Sequence, residues 1–175
     1  RQSVDPGSII DTLGINVRQQ QDANEFLLTL QSRLEAEIKT LPPGGKITDI
    51  FAGNMNQAII CNKNKNHVIH GCEEFVTITV DIVKKPDLVD ALHDFFQGEQ
   101  IDSFNCASCK SSVTVTRKMT IDRLPETAVI NLKRFRFNIS TMEKEKIQDR
   151  ISFPDEIDFG AYMTVPNSGA IPICR

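Results

Sequence analysis

Nowhere in the 175 residues do apolar side chains run on for the roughly 18 consecutive positions that a membrane-crossing helix needs. Arg1-Gln2-Ser3 does not lead into the apolar stretch of a secretory leader, so the sequence predicts a cytoplasmic or nuclear protein with no membrane partner. Positive charge is also scarce: 20 Lys and Arg against 23 Asp and Glu leave a formal net charge of −3 and a pI near 5.6. That balance gives no general reason for nucleic acid to be the partner, and any such contact would need a local patch. The five cysteines, Cys61, Cys72, Cys106, Cys109 and Cys174, are odd in number and unevenly spaced. An extracellular disulfide framework is therefore not expected, and reduced thiols or a metal site fit better. There is no internal repeat.

What is present is ordinary for a globular chain: 40% hydrophobic and 25% charged residues, at a length that suits one domain or part of a larger one. The order reads as α followed by β, with one helix between strands. Pro6 sits at a plausible first turn of a short helix over 6–15 that ends near Gly14. Leu27, Leu30, Leu34, Ile38 and Leu41 recur at spacings of three and four, which predicts a helix from about Gln20 to about Lys39 with Gln31, Glu35 and Lys39 facing water. Leu41-Pro42-Pro43-Gly44-Gly45 stops it. Strands are expected over Asn56–Cys61 and Glu74–Ile82, where Val76, Ile78, Val80 and Ile82 alternate with polar residues. Asp87 can cap a helix carrying Leu88, Ala91, Leu92, Phe95 and Phe96 that ends at Gly98. Strands through Val113–Met119 and Ala128–Phe137 follow, then a polar hairpin tip or loop over Asn138–Arg150, an apolar return through Phe153-Pro154, Ile157, Phe159 and Tyr162, and an irregular tail.

Gln20-Gln21-Asp22-Ala23-Asn24-Glu25-Phe26 heads the long helix and places two carboxylates one turn apart at its start. Exposed N–H groups and the helix dipole favour negative charge there by about 0.3–1 kcal/mol. Helix-start stabilisation alone explains the pair, but in a cleft the same carboxylates could grip a basic peptide. Cys106-Ala107-Ser108-Cys109 forms a knuckle whose two-residue gap lets both sulfurs reach one tetrahedral zinc. Cys61 lies at a strand end upstream, but Asn64 stands where a second knuckle would want its other cysteine. Cys72, His67 and His70 are candidates to fill that gap, none at a standard spacing, and free thiols without metal remain the alternative. A zinc-ribbon nucleic-acid module is disfavoured, because Lys63, Lys65 and Lys110 are few and lack aromatic neighbours for stacking. Leu132-Lys133-Arg134-Phe135-Arg136-Phe137, as one strand, would send Leu132, Arg134 and Arg136 to one side and Lys133, Phe135 and Phe137 to the other.

Taken in order, these segments resemble the ubiquitin-specific proteases, a family of cysteine deubiquitinases. The residues that carry the likeness are Gln20-Gln21-Asp22-Ala23-x-Glu25-Phe26, Phe51-x-Gly53 with Cys61, Glu74-Phe75, and Leu92-x-x-Phe95-Phe96 before Glu99. They continue through Cys106-x-x-Cys109, Leu124-Pro125, Leu132-Lys133-Arg134-Phe135, Lys146-Ile147, Phe153-Pro154 and Tyr162, so the match covers about residues 5–162. The resemblance implies a partial papain-like α+β fold of fingers, palm and thumb: thumb helices over 1–41, fingers with an inserted helix over 51–123, palm strands over 124–162 and an irregular tail over 163–175. It implies ubiquitin, or a ubiquitinated protein, as partner. Asp22 and Glu25, with Gln21 beside them, would face ubiquitin's C-terminal tail and pair with its arginines, and Phe135 would line the tail channel. The intact enzyme would hydrolyse isopeptide or peptide bonds after ubiquitin's last glycine, a reaction that needs no cofactor.

Two departures qualify that implication. The family's nucleophilic cysteine belongs to a box upstream of the glutamine-rich box, and its general-base histidine to a box well beyond the palm strands. Neither box is recognisable here, so no catalytic residue is assigned and this stretch alone is expected to be inactive. A non-catalytic relative that binds ubiquitin or scaffolds a complex is the alternative function. The family's fingers zinc uses two Cys-x-x-Cys knuckles. With Asn64 in the first, any zinc on Cys61, Cys106 and Cys109 would sit in an altered site.

Overall fold

A computed structural model of the chain describes residues 5–18, 21–39 and 50–164. It divides into two compact units, Arg1–Phe51 and Ala52–Arg175.

The first unit carries two helices. α1 spans Gly7–Leu13 and closes at Gly14, whose N–H returns to the carbonyls of Asp11 and Ile10. α2 spans Ala23–Ile38. It begins three residues later than the periodicity suggests, because Asp22 stays extended and its carboxylate accepts from the N–H groups of Asn24 and Glu25, at 2.8 and 3.3 Å. Those donors have no partner inside the helix, so an Asp before the first turn is where the helix starts. One expectation for α2 fails: Gln31 is buried at 8% exposure, whereas Leu34 is exposed at 42%. Periodicity defines an apolar stripe, but it does not say which part of the stripe becomes covered. Gln20, Leu41 and the Pro42-Pro43-Gly44-Gly45 stop lie outside the described residues.

The second unit is built on a four-stranded antiparallel sheet of order β2-β1-β5-β4. Its strands are β1 (Gly53–Cys61), β2 (Val68–Phe75), β4 (Glu99–Cys106) and β5 (Ser111–Arg123). The chain therefore makes two hairpins, β1–β2 and β4–β5, joined along β1 and β5. Strand β4 was not expected, since Glu99–Cys106 has only Ile101 and Phe104 as large apolar residues and reads as polar. β1 starts earlier than expected, at Gly53, where the chain is too tight for any side chain. A Cβ there would lie 2.5 Å from the Phe75 ring and 2.6 Å from the Arg123 carbonyl.

The expected single strand 74–82 is two strands in two sheets. β2 ends at Phe75, and β3 (Thr77–Asp81) pairs in parallel with β6 (Val129–Lys133). A break at Val76 lets the chain leave one sheet for the other while Ile78, Val80 and Ile82 keep their alternation and stay 0–1% exposed. Helix α3 (Leu88–Gln97) starts where predicted: the Asp87 carboxylate accepts from the Asp90 N–H at 2.9 Å. Its Leu88, Ala91, Leu92 and Phe96 join Met55, Phe75, Ile78, Val80, Ile82 and Ile121 in the core. Phe96 stacks on Tyr162 with ring centroids 4.5 Å apart, which fastens the apolar return to the core. Gly98 ends the helix at φ 93° against the Arg117 carbonyl, a backbone shape that side chains disfavour.

The stretch 128–137 is also interrupted. β6 ends at Lys133, and β7 (Phe135–Asn138) pairs instead with β8 (Glu143–Lys146) in a separate hairpin. Arg134 is the break: its guanidinium donates to the carbonyls of Ile147 and Asp149, at 3.3 and 3.0 Å. The two-sided alternation expected across this segment is therefore lost. Of the two readings of Asn138–Arg150 the hairpin holds: Asn138 ends β7 and its partner β8 lies within the segment.

Candidate functional site

The most developed constellation lies at the tips of the two long hairpins. Cys61 ends β1 opposite Val115 of β5, and Cys106 ends β4 opposite Ser111 of β5. Since β1 and β5 are neighbours, this register sets both hairpin tips side by side. In the first tip, Cys61 N–H donates to the His67 carbonyl at 3.0 Å and His67 N–H to the Asn64 carbonyl at 2.9 Å. In the second, the Cys109 N–H reaches the Cys106 sulfur at 3.4 Å and Lys110 N–H the Cys106 carbonyl at 2.8 Å.

Four ligand atoms result, all within 4.8 Å of one another: the sulfurs of Cys61, Cys106 and Cys109 and a ring nitrogen of His67. Cys61 Sγ is 3.7 Å from Cys109 Sγ, and His67 Nδ1 is 3.2 Å from Cys109 Sγ and 3.9 Å from Cys106 Sγ. Zinc with thiolates at about 2.3 Å and an imidazole nitrogen at about 2.0–2.1 Å holds its ligands roughly 3.5–3.8 Å apart. The residues fit such an ion. Cys61 and Cys106 are buried, and His67 and Cys109 half-buried, so the group is enclosed as a structural centre needs.

The three cysteines singled out in the sequence are thus brought together. His67 is the candidate that joins them. His70 and Cys72 lie further along β2, opposite Ala58 and Asn56, and are not in the group. The only trace of His67 in the sequence is a Cys61-x5-His67 spacing that no standard knuckle uses. The Cys61 thiol is held below its ordinary value, chiefly by the backbone N–H of Asn64. The Cys109 thiol is pushed up to about 11, first by burial and then by its hydrogen bonds to Cys61 and Cys106.

A second constellation lies in the first unit. Asp22 caps α2, Glu25 occupies its first turn, and the Gln21 side-chain amide donates to the Asn16 carbonyl at 2.9 Å. Gln21, Asp22 and Glu25 are exposed. Gln21 and Glu25 line a hollow of about 260 Å³ with Leu13, Asn16, Phe26 and Thr29. Phe135 belongs to the second unit, half-buried at the start of β7 opposite Lys146.

The family model described as "Ubiquitin carboxyl-terminal hydrolase" matches residues 1–171. Human "Ubiquitin carboxyl-terminal hydrolase 9Y" is 30% identical over 152 residues, which cover 85% of this chain and 6% of that protein. "Ubiquitin carboxyl-terminal hydrolase 48" of Danio rerio is 29% identical over 170 residues, covering 93% of this chain and 16% of that protein. Among solved structures, a SAGA DUB module of Ubp8, Sgf11, Sus1 and Sgf73 bound to monoubiquitin contains a similar chain. The TM-score is 0.75 at 26% identity, covering 91% of this chain and 37% of that one. The same module bound to ubiquitin aldehyde gives a TM-score of 0.70 at 24% identity, covering 83% of this chain and 33% of that one, a likeness of fold. The chain therefore spans a minor part of each relative's length.

Proposed function

The chain belongs to the ubiquitin carboxyl-terminal hydrolase family, and we propose that it is the ubiquitin-reading part of a thiol-dependent deubiquitinase. In this reading the intact protein hydrolyses isopeptide or peptide bonds after ubiquitin's last glycine, and acts on ubiquitin or ubiquitinated proteins in the cytoplasm or nucleus. The α+β fold follows the family, with 1–41 as thumb helices, 51–123 as fingers with an inserted helix, 124–162 as palm strands and 163–175 as a tail.

The observation that carries the reading is the start of α2. Asp22 and Glu25 present two exposed carboxylates there, and Glu25 faces a hollow that Gln21 also lines. A basic peptide tail meets charge and shape complementarity at such a place, and a charge-assisted contact there contributes about 1.5–3 kcal/mol when well formed. By the family resemblance, Phe135 of the second unit is also assigned to binding ubiquitin's tail. These residues bind and orient. The groups that break the bond are not among them.

We also assign Cys61, Cys106 and Cys109 to a structural zinc. When bound, the metal supplies a cross-link between the two hairpin tips and no part of the hydrolysis. Labelling the full-length protein with ubiquitin carrying an electrophilic C-terminal group tests the enzymatic reading: a covalent adduct is expected. An intact protein that binds ubiquitin but forms no adduct would be a non-catalytic relative.

A further inference from the structure

We propose that His67, through Nδ1, is the fourth ligand of a Cys3His zinc site, and that Asn64 is the residue that holds its ring. This rests on the zinc reading above and goes beyond it in naming a ligand that is not a knuckle cysteine.

The first tip offers one sulfur, that of Cys61, where a knuckle offers two. In the second tip the Cys109 N–H reaches the Cys106 sulfur at 3.4 Å. Position 64 carries an amide instead of a thiol. Three residues on, just before β2 begins, His67 swings its ring back over the tip, and Nδ1 comes to rest 3.2 and 3.9 Å from two of the sulfurs. These distances bracket the separation of roughly 3.5–3.8 Å that two ligands of one zinc require. The turn is fixed at both ends by the bonds from His67 N–H to the Asn64 carbonyl and from Cys61 N–H to the His67 carbonyl. His70 is three residues further along the chain, about 10 Å at the rise of β structure, opposite Ala58.

Asn64 lies 3.1 Å from His67 Nε2 through its side-chain amide. A metal-bound histidine carries its remaining proton on the other ring nitrogen and donates it to a fixed acceptor, which sets the orientation of the ring. With metal on Nδ1, the Nε2 proton faces Asn64, whose amide must present its oxygen there. The Asn64 oxygen accepts from the Asn66 N–H at 3.1 Å. Holding the ion would need a neutral imidazole with its one proton on Nε2, the three thiols deprotonated with their protons released to solvent, and the Asn64 amide oxygen turned toward Nε2. Zinc(II) with three thiolates and a neutral imidazole carries one negative charge rather than the two of a four-thiolate centre, and Lys63, Lys65 and Lys110 lie close in sequence to its ligands.

The test uses the full-length protein, with the metal lost on Cys106→Ser defining the site. Zinc per chain, a chelator competition and zinc-edge X-ray absorption are measured on wild type, His67→Ala, His67→Cys and His70→Ala. Expected are about one zinc per chain lost on Cys106→Ser, a three-sulfur, one-nitrogen shell for that ion, and zinc binding at least about tenfold weaker in His67→Ala. His67→Cys should restore tight binding with a fourth sulfur, and His70→Ala should leave binding unchanged. If Cys106→Ser removes no zinc, the zinc reading itself is wrong. Should the zinc be present with an unaltered shell and affinity in His67→Ala, zinc binding stands and the assignment of His67 is overturned.

Discussion

The Nδ1 atom of His67 lies 3.2 Å from the sulfur of Cys109, although the two residues stand on different hairpins. Strand pairing alone creates that approach: β1 pairs with β5, Cys61 falls opposite Val115 and Cys106 opposite Ser111. The consequence is a ligand set assembled from two turns, each of which holds too few ligands to bind metal alone.

The role of Asn64 can be separated from that of the metal. Asn64→Asp offers a carboxylate with enough lone pairs to accept from both His67 Nε2 and the Asn66 N–H, so zinc should be held at least as tightly as in wild type. Asn64→Ala removes the acceptor and should weaken zinc by about 10–100-fold, the usual effect of losing an outer partner of a ligating histidine. Competition with a chromophoric chelator on the intact protein measures both.

Asp22 caps α2 and is the proposed tail contact, and two substitutions distinguish these roles. Asn caps helices about as well as Asp, so Asp22→Asn should leave thermal stability nearly unchanged while removing the charge; Asp22→Ala should lose about 1 kcal/mol from the cap as well. If the carboxylate grips ubiquitin's tail, both variants should weaken ubiquitin binding by about tenfold or more. Unchanged affinity and turnover in Asp22→Asn would reduce Asp22 to a helix cap.

Gly53 is a packing constraint. Gly53→Ala forces a methyl group into the Phe75 ring and the Arg123 carbonyl, where β1, β2 and β5 meet. Overpacking of this kind costs about 1–3 kcal/mol, and a urea melt of the intact protein should register it with zinc binding at the distant hairpin tips retained.

The β7–β8 hairpin should show a local acid response. Glu145 accepts hydrogen bonds from Asn138 and Arg136, which hold its carboxyl below the usual value of 4.5. A carboxyl depressed in the folded state contributes stability that is present above its unfolded value and lost as pH falls through its folded value. Carbon-detected NMR titration should therefore place the Glu145 midpoint below that of exposed glutamates, with Glu145→Gln abolishing the response.

Where a local rule governed a short stretch, the sequence was legible. The Asp87 cap, the Gly14 stop, the alternation through Ile78, Val80 and Ile82 and the pairing of Cys106 with Cys109 all appear as expected. What misled was anything decided between segments. A continuous apolar alternation over 74–82 hid a change of sheet at Val76, and Arg134 broke an apparently unbroken strand to bond the backbone at Ile147 and Asp149. Polar β4 gave no hydrophobic signal because its membership of the sheet rests on pairing with β5.

The sequence by itself determined the family, the Asp87 cap, the Gly14 stop, the buried alternation of Ile78, Val80 and Ile82 and the acidic pair at the head of α2, because each is written in residue types at short spacing. Only the tertiary structure decided that His67, and not His70 or Cys72, meets Cys61, Cys106 and Cys109. The physical reason is register: which residues reach the tip of a hairpin depends on how strands far apart in the chain align. No spacing within one segment contains that alignment.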